Sequence, residues 1–464
     1  MRALVFFSLL VVLQVWAAVI ASYEPLQFLA GVLFLAAVVA SFRSTLTGLA
    51  LIIISQLYLL QGTAEINAGE VAYAAVFIST LLGWVLRDGR TLEGHRLLRS
   101  PVGASLLVFL GLCVGSLVLV ALYGGSPLWW LRDLVRFSYL LLFFPVAGAV
   151  KSRSAAFVVL GCLAAVILYH GVLTIAGYAR AVASTEALWQ LRYQRVALHE
   201  IFALATLVAS FAVFLRARSR AVSVVALSMG LLGLIALGVS FTRGYWMAAV
   251  LACALVAMML RGPARRIAAF WLILLVAIFS GGMTVFSAKF IGVLISMADR
   301  LSTFTSPLRV LSVQERMAET RAAIDMVISA PVFGRGLGAE VSYMSPLQHH
   351  VITRPFIHNA YLFVWLKLGI VGLVSFLVFY LRSIRMTLRA AARASSAIAR
   401  AMLFAGAAVL IAAVPLSFTS PQFYDKSSAL VLALVLGLSH ASLRGRLDIV
   451  AGEPAPAPGV VDER

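Results

Sequence analysis

Long apolar runs recur along almost the whole chain, and short polar segments separate them. A helix needs about 20 apolar residues to cross roughly 30 Å of hydrocarbon. Runs of this length predict membrane-spanning helices, about 12–14 in all. They lie near residues 3–21, 26–42, 45–62, 70–86, 102–123, 134–150, 154–178, 200–215, 221–240, 246–260, 267–287, 360–381, 398–416 and 427–442.

Composition supports the same interpretation. Hydrophobic residues make up 62% of the 464 positions and charged residues only 12%, and the mean hydropathy is +1.01. A soluble protein of this length needs a larger polar surface. We therefore predict an all-α polytopic membrane protein. The first run leads through Pro25 into the second without a small-x-small cleavage site, which favours a retained helix over a signal peptide.

The net charge of +19 is explained by where the cations lie. With the amino terminus in the cytoplasm, Lys and Arg outnumber Asp and Glu in the inner loops, whereas the two signs nearly balance in the outer loops. This is the positive-inside bias of membrane proteins, and it explains the charge without a nucleic-acid partner. The inner clusters are Arg87/Arg90/Arg96/Arg99, Arg216/Arg218/Arg220, Arg261/Arg265/Arg266 and Arg382/Arg385/Arg389/Arg393.

The loops divide the chain into four parts. Residues 1–287 and 360–442 carry the predicted spans, and residues 288–359 form one long outer loop. Residues 443–464 form a Pro/Ala-rich cytoplasmic tail that we expect to be disordered. The outer segment 179–199 is amphipathic and basic, and we expect it at the membrane surface.

The long outer loop has the pattern of ordered structure with amphipathic helices. Ser312 and Glu315 have the spacing of a capping box at a helix start. One face of that helix, which we expect to contact protein or membrane, carries Met317, Ile324 and Ile328.

A glycine-rich stretch, PVFGRGLGAE, follows this helix at Pro331. Its glycines, Gly334, Gly336 and Gly338, allow a tight turn or a close approach of the backbone to a ligand. The spacing does not fit a dinucleotide fingerprint, no strand precedes it, and the chain has no Walker lysine. A glycine-rich turn is the simpler interpretation.

Arginines in the outer loops are unexpected, because the positive-inside bias disfavours them. Each has an ordinary explanation as a snorkelling side chain or a local pair, such as Arg132 beside Asp133. Together they bring guanidinium groups to one membrane face, where their forks match the oxygens of a lipid-linked phosphate or pyrophosphate. The candidates for substrate binding are Arg136, Arg192, Arg195, Arg243 and Arg354.

His358 stands at the outer start of a predicted span, after Pro355 and before Asn359. A neutral imidazole at this place is able to accept a proton near neutral pH. The alternative is a polar helix end that contacts only water. Lys367, well inside the same span, is expected to pair with a neighbouring helix or to snorkel, and we assign it no role.

Three stretches in order resemble motifs of the bacterial O-antigen ligase and polymerase superfamily. VSFTRGYWMA resembles its S-x-[ST]-R-G-x-W-x-A turn, ISAPVFGRGLG its P-x-F-G-x-G-x-G segment, and RPFIHNAYLFVWLKLGIVGL its H-N-x-x-L…G-I-x-G-L segment. The resemblance covers residues 200–380 well, with the long loop between the turn motif and the histidine motif. The first 130 residues match only as generic spans.

The resemblance implies a GT-C-like glycosyltransferase of the bacterial inner membrane with its site facing the periplasm. Family members take a glycan from undecaprenyl pyrophosphate and pass it to an acceptor, which is lipid A–core oligosaccharide for the ligases. His358 falls on the family's essential histidine and Arg243 on its turn arginine. Arg136 and Arg195 occupy comparable outer positions.

The chemistry of such a transfer agrees with the residues. Arginines are able to stabilise the charge of a pyrophosphate leaving group, and a histidine is the usual base for an acceptor hydroxyl. No outer D-x-D carboxylates are present to hold a cation. We expect no metal or cofactor, and direct attack by the acceptor implies inversion at the anomeric carbon.

Two alternatives remain open at this point. An O-antigen polymerase or a protein O-oligosaccharyltransferase of the same superfamily uses the same donor and chemistry, and the structured outer loop favours the ligase only modestly. A transporter or flippase would favour charges and broken helices near the bilayer midplane. Here the polar groups collect at one face, which favours an enzyme.

Overall fold

The computed structural model describes residues 25–55, 68–184, 200–286 and 311–446, with isolated positions between 287 and 310. The predicted span at 3–21, most of the outer segment 179–199 and most of the tail lie outside these residues. Within the described part the regular secondary structure is helical apart from one two-stranded hairpin.

The helices are numbered here in chain order. They are α1 (Pro25–Arg43), α2 (Thr45–Ser55), α3 (Ala68–Trp84), α4 (Leu92–Leu98), α5 (Pro101–Gly115), α6 (Leu117–Leu122), α7 (Pro127–Ser138), α8 (Phe143–Ala149), α9 (Arg153–Ser184), α10 (Glu200–Arg216), α11 (Arg220–Val239), α12 (Arg243–Met259), α13 (Ala264–Phe286), α14 (Leu311–Ser329), α15 (Ala360–Arg393), α16 (Ala397–Leu416) and α17 (Lys426–Leu443). Strands β1 (Val341–Met344) and β2 (Val351–Arg354) form the hairpin, which is antiparallel with Val341 opposite Arg354.

The chain is an all-α multi-pass membrane protein, as the sequence predicts. In the described part, seven helical segments are long and apolar enough to cross a membrane, and three shorter ones are apolar. The seven are Gly69–Gly89, Pro101–Leu122, Ser154–Ser184, Arg220–Val239, Ala360–Arg393, Ala397–Leu416 and Lys426–Leu443. The count of 12–14 spans stays a prediction.

Small residues allow the central helices to pack closely. On α16, Ala401, Ala405, Ala408 and Ala412 recur at helical spacing and are all buried. On α17, a side chain at Gly437 would clash with Val146 of α8. The backbones of these helices therefore approach one another where a larger residue would hold them apart.

The sixth predicted span, 134–150, differs from the structure. Helix α7 begins earlier, at Pro127, because Ser126 caps it and proline suits the first helical turn. A short 3-10 segment, Tyr139–Leu142, then separates α7 from α8. Helix α7 is strongly amphipathic, with Asp133 and Phe137 buried. Arg136 therefore lies near the end of a short amphipathic helix and not near the start of a long one.

Charged contacts gather at the two ends of the bundle. At the end called here the arginine-rich face, Lys151 contacts Asp88 at 2.7 Å and Arg446 contacts Glu93 at 2.8 Å. The opposite end, called here the His358 face, carries the α7 helix, the start of α12, the long loop and the connection between α16 and α17.

The described part of the long loop consists of α14, the hairpin and the glycine-rich stretch between them. The packed face of α14 carries Glu315, Glu319, Ala323 and Val327, all buried. The face that the sequence singled out is the opposite one, with Met317, Ile324 and Ile328 exposed by 39%, 41% and 69%. That face is not packed tightly against the described part of the protein, so its contact with the membrane stays a prediction.

The predicted capping box is wrong at Glu315. Its carboxylate accepts hydrogen bonds from Tyr343 at 3.0 Å and from Ser345 at 2.6 Å, both in or beside the hairpin. Glu315 therefore fastens the hairpin to α14 and is not turned back to the helix start.

Candidate functional site

His358 contacts a buried carboxylate on α14. Its backbone N–H donates to Oε2 of Glu319 at 2.9 Å, and its ring Nδ1 lies 2.9 Å from the same oxygen and 3.2 Å from Oε1. The Glu319 side chain is 1% exposed, whereas the His358 side chain is 24% exposed. The imidazole is therefore held from its Nδ1 side and remains accessible.

The start of α15, directly after His358, is capped and is anchored to a neighbouring helix. Asn359 caps the helix, and its side chain accepts from the N–H groups of Tyr361 at 3.0 Å and Leu362 at 3.1 Å. Ala360 N–H donates to Ser417 O at 2.9 Å, which ties this helix start to the end of α16. The sequence H-N-A-Y thus places a histidine just before a capped and anchored helix.

A buried ion pair lies under the same segment. Lys367 Nζ contacts the carboxylate of Asp133 on α7, and both side chains are at most 1% exposed. Lys367 also donates to Pro355 O at 2.6 Å, three residues before His358. Lys367 pairs with a neighbouring helix, as the sequence suggested, and does not snorkel.

The Asp133 carboxylate accepts two further hydrogen bonds besides the one from Lys367. Tyr424 donates from its hydroxyl at 2.6 Å, and the backbone N–H of Gly338 donates at 2.7 Å. The sequence favoured a local pair between Asp133 and its neighbour Arg132. The Arg132 guanidinium lies 4.6 Å from the centre of the Trp129 ring. The carboxylate instead joins α7, the glycine-rich stretch and the connection between α16 and α17.

The glycine-rich stretch fills a break in α15. Gly369, with φ of +66°, interrupts the helix, and the freed carbonyls of Leu366 and Lys367 accept from the N–H groups of Arg335 and Gly336, each at 2.9 Å. Non-helical backbone at membrane depth is tolerated where protein satisfies its polar groups. The stretch thus inserts against the helix that carries Lys367.

The three glycines of the stretch permit this insertion. Gly334, Gly336 and Gly338 all have positive φ. A side chain at Gly334 would meet the backbone nitrogen of Gly369 at 2.5 Å, and one at Gly338 would clash with the backbone of α7. The stretch forms turns between residues 331 and 338, as the simpler interpretation predicts, and its backbone also lies close to the backbones of α7 and α15. Close approach to a ligand stays a prediction.

Arg136 presents a half-buried guanidinium at the His358 face. It lies 4.0 Å from the centre of the Tyr424 ring, a cation–π contact. Among the described residues it has no hydrogen-bonding partner, and the carboxylates of Asp133 and Asp425 lie within electrostatic range. Lys426, at the start of α17, lies within electrostatic range of Arg136.

Arg243 begins α12 directly after a tight turn. Phe241 in that turn is buried and has a φ of +51°, a conformation that is uncommon for a bulky residue. The Thr242 hydroxyl contacts Glu200 at 3.1 Å, and Tyr245 contacts Gln422 at 3.0 Å. The turn therefore fixes Arg243 beside the connection between α16 and α17.

The connection 417–425 is the element that joins the parts of the site. It contacts the start of α15 through Ser417, the start of α12 through Gln422, and α7 through Tyr424. It thereby brings the neighbourhoods of His358, Arg243 and Arg136 to one face. Sequence reasoning missed this connection, because nothing in its pattern distinguishes it from an ordinary polar turn.

Arg354 lies on β2 beside a carboxylate. Its guanidinium is 3.9 Å from Oε1 of Glu315 and 6.0 Å from the Tyr343 ring. Its place in the hairpin is thus explained by local contacts, and binding of substrate by Arg354 stays a prediction. Arg192 and Arg195 lie outside the described residues.

Glu319 is the other residue that sequence reasoning missed. It lies one turn after Glu315 and one turn before Ala323, so the three share a helical face. Two carboxylates on the same face as a small apolar residue are a signal that this face packs against polar partners. The apolar residues on the opposite face concealed that signal.

Comparison with known proteins agrees with the motifs. Residues 227–377 match the family model described as O-antigen ligase, a segment that contains Arg243, Glu319, the glycine-rich stretch, His358 and Lys367. No curated protein matches the sequence. The match covers about a third of the chain, and together with the all-helical multi-pass architecture it supports a member of the O-antigen ligase superfamily.

Proposed function

We propose that the chain is an O-antigen ligase of the bacterial inner membrane, with its site at the periplasmic face. It transfers a glycan from undecaprenyl pyrophosphate to lipid A–core oligosaccharide in lipopolysaccharide biosynthesis. The observation that carries the proposal is the contact of Glu319 with Nδ1 of His358, which leaves Nε2 without a hydrogen-bonding partner among the described residues. The arginine-rich face at the other end of the bundle supports the orientation.

The proposed reaction is a direct displacement. Nε2 of His358 takes the proton from the acceptor hydroxyl as its oxygen attacks the anomeric carbon of the donor sugar. The bond from that carbon to the pyrophosphate oxygen breaks, and the lipid pyrophosphate leaves with the electron pair. Attack opposite the leaving group inverts the anomeric centre.

The arginines of the His358 face stabilise the leaving pyrophosphate in this proposal. Arg136 offers a guanidinium that no described residue hydrogen-bonds, held in place by the Tyr424 ring. Arg243 lies in a turn that contacts the same connection between α16 and α17 as Tyr424 does. Guanidinium forks bind phosphate oxygens bidentately, and a preorganised donor stabilises charge that develops in the transition state.

Transfer by purified protein tests the proposal. Wild-type protein and His358→Ala are compared in lipid nanodiscs with lipid-linked glycan and lipid A–core acceptor, with transfer and donor binding measured side by side. Loss of a general base costs about 10²- to 10⁴-fold in rate. We expect His358→Ala to lose transfer and to keep donor binding. Near-normal transfer by this variant would show that the histidine is only a polar helix end.

A genetic measurement separates ligase from polymerase. In cells that lack a ligase, polymerised glycan stays on the lipid carrier and is missing from lipopolysaccharide. In cells that lack a polymerase, single repeats still reach lipopolysaccharide. We expect the first pattern on deletion of this chain. The second pattern would assign the chain to the polymerases, and glycan lost from a protein would assign it to the protein O-oligosaccharyltransferases.

A further inference from the structure

We propose that Glu319 is a positioning residue that fixes the tautomer and the orientation of the His358 imidazole. The inference rests on the proposed role of His358 as the base, and it assigns a role to a residue that neither the motifs nor the family match singles out. Its basis is the burial of the Glu319 carboxylate and the identity of the donors that reach it.

The carboxylate of Glu319 determines which ring nitrogen of His358 carries a proton. An ionised carboxylate only accepts hydrogen bonds, so each group facing it must be a donor. Within the described residues, its hydrogen-bonding partners are the backbone N–H and Nδ1 of His358. Nδ1 therefore carries a proton in the neutral imidazole, and the lone pair is on Nε2, as a general base requires.

Burial of the Glu319 carboxylate stabilises this orientation of the His358 ring. The Glu319 side chain is 1% exposed, and rotation of the His358 ring would remove one of its two donors. A buried carboxylate without partners is strongly unfavourable. The Phe356 ring also packs edge-on against the imidazole at 5.5 Å. The carboxylate and the phenyl ring thus restrict the imidazole to one orientation.

Glu315 provides a comparison within the same helix. It lies one turn earlier on the same buried face of α14, and its partners are Tyr343, Ser345 and Arg354. Glu315 holds the hairpin, whereas Glu319 holds the histidine. The two carboxylates have the same chemistry and similar burial but different partners, so substitution of each one separates loss of local structure from loss of histidine orientation.

The first test measures the tautomer directly in the wild-type protein. Uniformly ¹⁵N-histidine-labelled protein in lipid bilayers gives ring ¹⁵N shifts that distinguish a protonated from an unprotonated nitrogen, and the His358 signals are assigned by their loss in His358→Gln. We expect a protonated Nδ1 and an unprotonated Nε2 at neutral pH. A protonated Nε2 with a bare Nδ1 overturns the proposal, and this outcome requires no Glu319 variant to fold.

The second test compares kinetics of Glu319→Gln, Glu319→Asp and Glu315→Gln. Removal of the orienting charge in a serine-protease triad costs about 10⁴-fold in kcat, and we expect about 10- to 1,000-fold for Glu319→Gln, with donor Kd within about twofold of wild type. Glu319→Asp keeps the charge and should retain more activity than Glu319→Gln. Glu315→Gln should lower thermal stability and leave the His358 tautomer unchanged.

Parallel loss of kcat and donor affinity in Glu319→Gln, to the same extent as in Glu315→Gln, would show that Glu319 only supports the fold. The two proposals fail in different ways. Normal transfer by His358→Ala would exclude His358 as the general base. If His358→Ala loses transfer but the wild type has a protonated Nε2, the role of His358 stands and only the proposed role of Glu319 is excluded.

Discussion

Lys367 and Asp133, 234 positions apart in the sequence, form a buried ion pair between the broken helix α15 and the amphipathic helix α7. Charges at membrane depth are costly and tend to be paired. Here the pair has a second consequence, because the Lys367 ammonium also binds Pro355 O on the approach to His358. The pair thus connects the membrane interior to the segment that carries the histidine.

Replacement of Lys367 by Met tests this connection. The variant leaves the Asp133 carboxylate buried without its cation, and loss of one partner of a buried pair costs about 3–5 kcal/mol. We expect a marked fall in thermal stability, and a smaller fall when Asp133→Asn is added. The control is Lys151→Met, which removes an exposed pair with Asp88 worth at most about 1 kcal/mol. Equal effects of the two Lys→Met changes would contradict the argument.

The backbone conformation at Gly369 requires a glycine. Its φ of +66° is costly for a residue with a side chain, by about 1–2 kcal/mol, and a Cβ there would clash with Val332 O. We expect Gly369→Ala to displace the glycine-rich stretch, lower the thermal midpoint and reduce transfer. Gly161→Ala is the matched control, because its Cβ meets nothing within 4 Å. A neutral Gly369→Ala would show that the helix break is not required.

The general architecture was predictable from the sequence. Each long apolar run requires a helix in lipid, because no other structure satisfies the backbone there. The arginine clusters distinguish the two ends of these helices. The sequence predicted His358 at a helix start and a glycine-rich turn after Pro331, and both were found.

The partners of the site residues were not predictable in the same way. Asp133 is next to Arg132 in the sequence, but its carboxylate contacts Lys367 on α15 and Tyr424 in the connection between α16 and α17. Glu319 reaches His358 across 39 positions. Hydropathy and local spacing carry no information on such contacts, since they depend on how the helices and the loop pack together.

Arg136 gives a prediction on donor binding. Its guanidinium stacks on Tyr424 and has no hydrogen-bonding partner in the described part of the chain. Arg136→Lys keeps the charge but removes the fork and the flat stacking surface. We expect weaker binding of lipid-linked pyrophosphate, measured by titration in nanodiscs. Arg132→Lys, one turn earlier on α7, is the control and should change binding less. Equal affinities of wild type and Arg136→Lys would remove Arg136 from the site.

The hairpin is expected to loosen in acid because of Glu315. Burial opposes ionisation of this carboxyl, but hydrogen bonds from Ser345, Tyr343 and the Leu347 N–H, with the charge of Arg354, outweigh it and lower its pKa from the ordinary 4.5. A carboxyl whose pKa is lower in the folded state contributes stability that is present above about pH 4.5 and lost as the pH falls through the folded-state pKa.

Hydrogen exchange measures this effect on the amides of β1 and β2. Protection factors, which correct for the intrinsic pH dependence of exchange, should be constant near neutral pH and fall below about pH 4.5. Glu315→Gln should lower protection at neutral pH and remove most of the pH dependence. Protection that falls equally in the wild type and in Glu315→Gln would assign the acid sensitivity to other groups.

Arg243 is the residue for which the turn geometry and the family motif make the same prediction. The turn before it is strained at Phe241 and anchored through Thr242 to Glu200, while Tyr245 binds Gln422 on the connection that also carries Tyr424. Backbone strain in a buried turn persists only where its surroundings impose it, and it is common at ligand sites.

Substitution of Arg243 by Lys therefore separates charge from geometry. If the guanidinium binds the donor pyrophosphate through two parallel hydrogen bonds, lysine keeps the charge and loses one of them, so transfer and donor affinity should both fall sharply, and Arg243→Ala should fall further. Arg266→Lys is the matched control, because Arg266 donates to Leu215 O at 3.0 Å and Ala217 O at 3.1 Å at the arginine-rich face. It should affect stability but not donor affinity. Unchanged transfer by well-folded Arg243→Ala would exclude Arg243 from pyrophosphate binding and leave Arg136 as the principal candidate.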